Sequence, residues 1–593
     1  MRRPSPLSPG TTPTAPDDTA RALHALASSA AERHHIPAMA YGVIVDGRLV
    51  ARGGIGDPGD GAGPPDERTL FRIASMTKSF TAAAVLCLRD AGQLALDDAA
   101  SRYVPAAAGL RPPSGDSPPV TIRHLLTMSA GLATDDPWAD RHLDAGGPEL
   151  LGWLAEGAAF AAAPGTVFEY SNLGYGVLGQ VVEAVAGTRL QEYVSRQLLG
   201  PLGMSDTVWD AQARTGARLA RPFRVVDGAI VAEPPPLADG ALGPMGGLWS
   251  TVADLALWVG FLAEAFPPRD GTDDGPLRRA SRREMQQVCR AIPTSITREE
   301  VDGRLRLVAG GYGMGLEVRE HLELGTMVTH SGGLPGFGSN MRWLRDRGVG
   351  VVAVANRTYP PMGLFTRDAL ELLESRGALP PAAHPSAAAL DEAVRALAEL
   401  LSGWDDARAG RLFADNVLLD DPLDRRRAQA SALRARHGTL SPGPVTAVRA
   451  TRGHAELIGE RGRVRLSVEL APRPDGRVQD YEATSVVPAS AALIAAARRL
   501  ADLAASPDPD GLAALLEPGA DAVEAARRLG AAHTLFGRLT VGETVAGVGT
   551  DAQDGEQATL RWHGERGDLD VAVRLHAGRL RIERLAPRPL PDP

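Results

Sequence analysis

The chain has 593 residues, 44% of them hydrophobic, with 63 basic and 72 acidic side chains and a formal charge of −9. At roughly 150 residues per domain this describes a globular protein of two to four domains, and the absence of long runs of one sign leaves no footprint for nucleic acid. Only one of the basic residues, Lys78, is lysine. A Gly-Lys-Ser/Thr phosphate loop is therefore excluded, since Thr77 precedes Lys78, and any Schiff-base lysine would have to be Lys78 itself.

Residues 1–18, rich in Pro, Ser and Thr, read as a disordered tail without the apolar stretch of a secretory signal. No window is apolar enough to span a membrane. Two cysteines, Cys87 and Cys289, are too few for a disulfide framework, and a cytoplasmic location is expected. Residues 19–36 have helical spacing, and the next segment alternates about Asp46-Gly47, a strong hairpin signal. A helix is expected from Ser75 to near Gly92, and a strand leading into a short helix over 120–132. Further helices are expected from Ser171 to Gly187 and over 250–265. After Gly332 come two strands around a turn at 346–348 and a last helix. The proline-rich stretch 378–387 is the candidate linker.

Beyond it the sequence repeats itself. HGTLSPGPVTAV (437–448) aligns with the segment near 535–547 at an offset of 99, GERGRVRLSVEL (459–470) with 564–575 at 105, and DGRVQDYE with AGRLRIER at 102. Two tandem α+β modules, 388–488 and 489–593, each opening with two helices and continuing into strands, are expected.

Three short elements carry chemistry. Ser75 and Lys78, three residues apart at a helix start, share a face, and a neutral lysine can take the proton of a serine hydroxyl. Tyr170-Ser171-Asn172 places a phenol that can relay a proton next to an amide that can hold a substrate carbonyl or the lysine. His330-Ser331-Gly332-Gly333 reads as a strand edge where backbone can approach a ligand closely; a free N–H there, with that of Ser75, would form an oxyanion hole.

In this order, Ser-x-x-Lys, Tyr-x-Asn and Lys/His-x-Gly, the three elements resemble the serine β-lactamase and penicillin-binding-protein superfamily. The similarity is greatest to its class C β-lactamase-like group, with D-alanyl-D-alanine carboxypeptidases, D-aminopeptidases and esterases. FRIASMTKSF, VTIRHLLTMSAGL, PGTVFEYSNLGYGVLG, GGLWSTVADLALW and THSGGLPGFGSNMRWL resemble its recurring segments, so the domain runs over 19–377. The resemblance implies an α+β fold, an antiparallel sheet flanked by helices plus an all-helical lobe. It implies Ser75 as the acylated nucleophile, Lys78 as its base and Tyr170 sharing proton transfer. Asn172, His330, Ser331 and Gly332 would bind substrate, and the backbone of Ser75 and Gly333 would form the oxyanion hole. No metal or organic cofactor is implied, and the partner is a small molecule or short peptide.

Two departures stand out. His330 occupies the position where β-lactamases carry lysine, so a fixed cation for a substrate carboxylate is missing; histidine is largely neutral near pH 7. Met128-Ser129-Ala130-Gly131 replaces the usual His-Thr-Ser-Gly. The expected function is a serine hydrolase acting through a Ser75 acyl-enzyme on a small amide or ester, with D-amino-acid peptides among the candidates. A carboxylesterase or weak β-lactamase, and a catalytically silent binding or scaffold protein, are the alternatives.

Overall fold

The computed structural model describes residues 17–298, 305–321, 324–380, 388–486, 488–551, 555–565 and 567–587. Most of the expected tail and linker lies outside these residues; Asp17 and Asp18 begin the first helix. Two compact units form: one from Met1–Ser295 and Val308–Ala382, the other from Ile296–Leu307 and Ala383–Pro593.

The first unit is built on an antiparallel sheet. Helix α1 (Asp17–Arg33) leads into β1 (Ala38–Val45) and β2 (Arg48–Gly56), joined by Asp46 and Gly47 with φ of 46° and 73°. Positive φ at both turn positions matches the right-handed twist of a hairpin, which is why an Asp-Gly pair stands there. Helices α2 (Thr77–Asp90), α3 (Asn172–Ala186) and α4 (Val252–Ala263) follow. Strands β3 (Leu305–Tyr312), β4 (Glu317–His321), β5 (Gly325–Leu334), β6 (Phe337–Leu344) and β7 (Val349–Ala355) and helix α5 (Met362–Ser375) complete it. The strand order is β2-β1-β7-β6-β5-β4-β3.

The period of two along β1 and β7 sorts side chains to two cores. Met39, Tyr41, Val43, Val351 and Ala353 pack with Leu23 and Ala27 of α1 and Phe365 and Leu370 of α5. Ala40, Ile44, Val352 and Val354 face the other way, with Phe80, Trp258 and the helical lobe containing α3. The segment 120–132 differs from expectation: it holds a helix, Ile122–Leu126, and no strand. Thr121 and His124 close a capping box there, which satisfies the backbone donors locally and favours helix over an extended chain.

The second unit contains two similar sequences of elements, the first with an extra short helix, Val417–Asp420. The first has α6 (Ala388–Ser402), a short helix Asp406–Leu412, α7 (Leu423–His437), and β8 (Ser441–Arg449), β9 (Arg452–Gly459), β10 (Gly462–Leu470) and β11 (Val478–Val486) in an antiparallel meander. The other has α8 (Ala491–Ala504), a short helix Pro509–Leu515, α9 (Ala522–Phe536), and β12 (Thr540–Asp551), β13 (Gly555–Gly564), β14 (Gly567–His576) and β15 (Arg579–Pro587). The short middle helix was not expected from the sequence. In both, the residue after it bridges the fourth strand, Phe413 to Val478 and Leu516 to Leu580. Strands β12 and β13 are longer than β8 and β9, which accounts for most of the rise in offset from 99 to 105.

Candidate active site

The chain reaches Ser75 through a bend. Phe71-Arg72 pairs with Trp249-Ser250, and Ala74, with φ of 49°, occupies the left-handed region before the turn Ala74–Met76 enters α2. An L-residue held there costs about 1–3 kcal/mol, so the surrounding structure must enforce it. Strand β5 does so from the other side. A Cβ on Gly332 would lie 2.2 Å from the Ile73 carbonyl oxygen, and Ser339 Oγ donates to that same oxygen at 2.7 Å. Gly332 is thus required by close approach, which the sequence signal of a glycine-rich strand had indicated without its partner.

At the second residue of α2, one turn beyond Ser75, Lys78 is fully buried. Its Nζ donates to Ser75 Oγ at 3.0 Å, to Asn172 Oδ1 at 2.6 Å and to the Met245 carbonyl at 2.9 Å. Burial pulls its pKa down to about 8, against the opposing pull of Asp136, Asp140 and Asp135. Asn172 and Met245 are permanent acceptors. When the amine is neutral they take its two protons, and the lone pair is left facing Ser75 Oγ.

Asn172 opens α3 and is fully buried; its Nδ2 donates to Asp136 Oδ1 at 2.6 Å, which fixes the amide so that its oxygen faces Lys78. Ser171 caps the helix through Gly174 N–H, and Asp135 accepts from the N–H groups of Asn172 and Leu173. Tyr170 lies against the Lys78 ammonium, 4.8 Å from Nζ to ring centre. Burial, and Asp136 after it, hold this phenol well above its ordinary pKa. Tyr170 therefore stays protonated at neutral pH and can only relay.

The Met128–Gly131 departure has a structural explanation. Met128 (φ 51°) accepts from Glu169 N–H through its carbonyl and from Ser171 N–H through its sulfur, and Ser129 O accepts from Gly165 N–H. This loop holds the irregular segment that leads to Tyr170.

His330, 2% exposed, lies on β5 with both ring nitrogens engaged: Nδ1 donates to Ser331 O at 2.6 Å and Nε2 accepts from Tyr312 Oη at 3.0 Å. This assignment follows from the carbonyl being an acceptor only. Burial, then Lys78, lowers its pKa to about 4, so the ring is neutral. Exposed Ser331 accepts from Asn340 Nδ2, and Gly333 packs beneath the Tyr359 ring.

Ser75, Tyr170, His330, Ser331, Gly332 and Gly333 line one cleft of about 440 Å³. The sequence reasoning missed Asp136, Asp140, Glu317, Arg319 and Tyr359, which line it too. It also missed Tyr312, whose GGYGMG segment reads only as a loop or strand edge. Among the described residues no group of three His, Cys, Asp or Glu side chains is placed to hold a metal, and no helix is long and apolar enough to cross a membrane.

This sheet-and-lobe architecture with a serine, lysine, tyrosine and asparagine around one cleft is that of a β-lactamase-like protein. The chain belongs to the Beta-lactamase family, which it matches over residues 21–375. It is 27% identical over 328 residues to the D-alanyl-D-alanine-carboxypeptidase/endopeptidase AmpH of Escherichia coli K12, covering 53% of this chain and 78% of that one. It is 29% identical to penicillin-binding protein 4 of Amycolatopsis lactamdurans, over 48% of this chain and 71% of the relative. Protein Rv1367c of Mycobacterium tuberculosis is 35% identical over 36% of this chain, and the match spans 58% of that relative's length. The structure of the octameric penicillin-binding protein homologue from Pyrococcus abyssi shares the fold, with a TM-score of 0.51 at 19% identity over 95% of this chain and 98% of the other.

Proposed function

We propose that the protein is a serine hydrolase that forms an acyl-enzyme on Ser75 with a small amide or ester. The observation that carries this reading is the 3.0 Å contact between Lys78 Nζ and Ser75 Oγ, made by a lysine whose buried amine titrates near 8. Neutral Lys78 takes the Ser75 proton as Oγ attacks the carbonyl. Tyr170 hands its proton to the leaving group and recovers one from protonated Lys78, and water then releases the acyl chain. The backbone of Ser75 and Gly333 is the proposed oxyanion hole, Gly333 being on the strand pressed against the nucleophile turn. Asn172, His330, Ser331 and Gly332 are the proposed substrate-facing groups.

The relatives named as carboxypeptidases support peptides containing D-amino acids as substrates to test. The neutral His330 speaks against tight capture of a substrate carboxylate at that position. Treatment with a fluorophosphonate or a penicillin, followed by mass spectrometry, tests the reading: the adduct is expected on Ser75. No adduct there with either probe would leave the silent-scaffold alternative standing.

A further inference from the structure

Acylation moves a charge onto Lys78. The amine that takes the Ser75 proton ends as a fully buried ammonium, and its three hydrogen-bond partners are a hydroxyl, an amide oxygen and a backbone carbonyl, none of them charged. The carboxylates that favour the ammonium, Asp136 first and then Asp140 and Asp135, act on it through space, and one oxygen of Asp136 is already held by Asn172 Nδ2. His330, on β5, is neutral and offers no counter-charge. A cation formed in such a place is costly unless other groups face it.

Two aromatic rings do face it. Nζ lies over the Tyr170 ring, 4.8 Å from its centre, and over the Tyr175 ring at 5.6 Å. Both distances fall within the roughly 6 Å over which the negative face of a ring attracts a cation, an attraction that strengthens as water is removed. Tyr175 is the fourth residue of α3, one turn beyond Asn172, and so shares the face from which Asn172 reaches Lys78. It is completely buried and stays out of the cleft, whose lining includes Tyr170 but not Tyr175. Its Oη donates to the Leu126 carbonyl at 3.0 Å, which anchors the ring and occupies the hydroxyl proton.

We propose that Tyr175 is a positioning residue for Ser75 acylation, its ring face holding the positive charge that appears on Lys78 Nζ as the amine takes the hydroxyl proton. This rests on the acyl-enzyme reading above and adds a group that never touches substrate. One proton leaves Ser75 Oγ for the Nζ lone pair while Oγ bonds to the carbonyl carbon. The ring attracts the ammonium and not the neutral amine, so it strengthens Lys78 as a base and acts at the step where charge develops.

The test follows fluorophosphonate labelling of Ser75 across pH 5–9 in the full chain. Wild type is expected to show the Lys78 inflection at about 8. Tyr175→Leu removes the ring face, and its inflection is expected to fall by about one pH unit, with the plateau rate above it lowered about three- to tenfold. The loss should shrink toward pH 6, where a larger fraction of the weaker base is neutral. Tyr175→Phe keeps the ring and is expected to keep the wild-type inflection. Replacing Tyr175 by ring-trifluorinated phenylalanine preserves the ring's shape, opens no cavity and weakens its negative face, so it should shift the inflection downward relative to Tyr175→Phe whether or not the leucine variant folds. An inflection unmoved by fluorination, or a shift in Tyr175→Phe as large as in Tyr175→Leu, overturns the proposal. A uniform rate loss in Tyr175→Leu with no shift does so too, since a merely structural residue would give that result. Absence of Ser75 labelling in the wild-type chain is a different result and overturns the acyl-enzyme reading instead.

Discussion

The unit that holds Ser75 and the C-terminal unit solve burial differently. Around Ser75, buried polar side chains join residues far apart in sequence: Lys78 to Asn172, Ser339 to Ile73, Tyr312 to His330. Lys78, Asn172, Asn340 and His330 are all essentially inaccessible. In 388–593 only Arg426 and His437 are buried polar residues among those described, and the cores around Leu397, Leu457 and Leu466, and around Leu500, Trp562 and Val571, are otherwise aliphatic and aromatic. Charged pairs there include neighbours along one helix, such as Arg427–Asp424 and Arg527–Glu524. A desolvated lysine and a left-handed Ala74 both work against folding, and they are concentrated where chemistry would need a titrating amine and an exposed hydroxyl.

Lys78→Arg is the strongest way to break that contrast. Arginine keeps the charge but cannot become neutral near pH 8, so Ser75 acylation is expected to fall by about a thousandfold or more. Fluorophosphonate labelling measures it, with far-UV circular dichroism confirming that the fold is retained. Labelling at the wild-type rate would return the single lysine to an accident of composition.

The opposite contrast is a cut into the apolar side. Trp562, on β13, is fully buried in the apolar core of its module. Trp562→Ala is expected to cost about 3–5 kcal/mol in the unfolding transition of the C-terminal unit, seen by denaturant titration, while Ser75 labelling keeps its wild-type rate. Loss of labelling in step with that transition would show that the two units do not act separately.

Legibility in the sequence follows the same divide. Ser75, Lys78 and Asn172 could be found because their spacing is local and lysine and asparagine are rare in this composition. The tandem modules could be found because their turns demand glycine: Gly462 and Gly567, and Gly476 and Gly578, all have positive φ at matching places. Asp136, Asp140, Tyr312 and the Met245 carbonyl carry no local pattern. They meet Ser75 or its partners only once α3, the lobe and β3 have closed on α2. The 120–132 segment was misjudged as part strand because its apolar run outweighed the Thr121 cap.

The pH dependence sharpens the comparison at smaller scale. Lys78 titrates near 8, lowered by burial, and the active form is the neutral amine. As pH falls below 8 the neutral fraction drops, so the Ser75 labelling rate should fall about tenfold per pH unit between 7 and 6 and level off above about 8. His330, held near 4, should add no limb around its ordinary pKa. A stopped labelling assay across pH 5–9 checks both; an inflection near 6.5 that disappears in His330→Gln would mean that the histidine is the titrating base.

The smallest effect is expected at the cap of α3. Ser171 Oγ accepts from Gly174 N–H, and replacing an N-cap serine by alanine costs about 1 kcal/mol when nothing else serves that helix end. Here Asp135 already accepts from the N–H groups of Asn172 and Leu173, so two of the orphan donors keep their partner in Ser171→Ala. The stability loss in a thermal melt should be about 1 kcal/mol or less, and the labelling rate should change by less than about threefold, because Asn172 Nδ2 remains fixed on Asp136 and its oxygen on Lys78. A rate loss approaching that of Lys78→Arg would mean that the helix end, rather than the Asp136 contact, positions Asn172. The Asn172 amide would then depend on a single helix-cap hydrogen bond, the fragile arrangement that the wider buried network otherwise avoids.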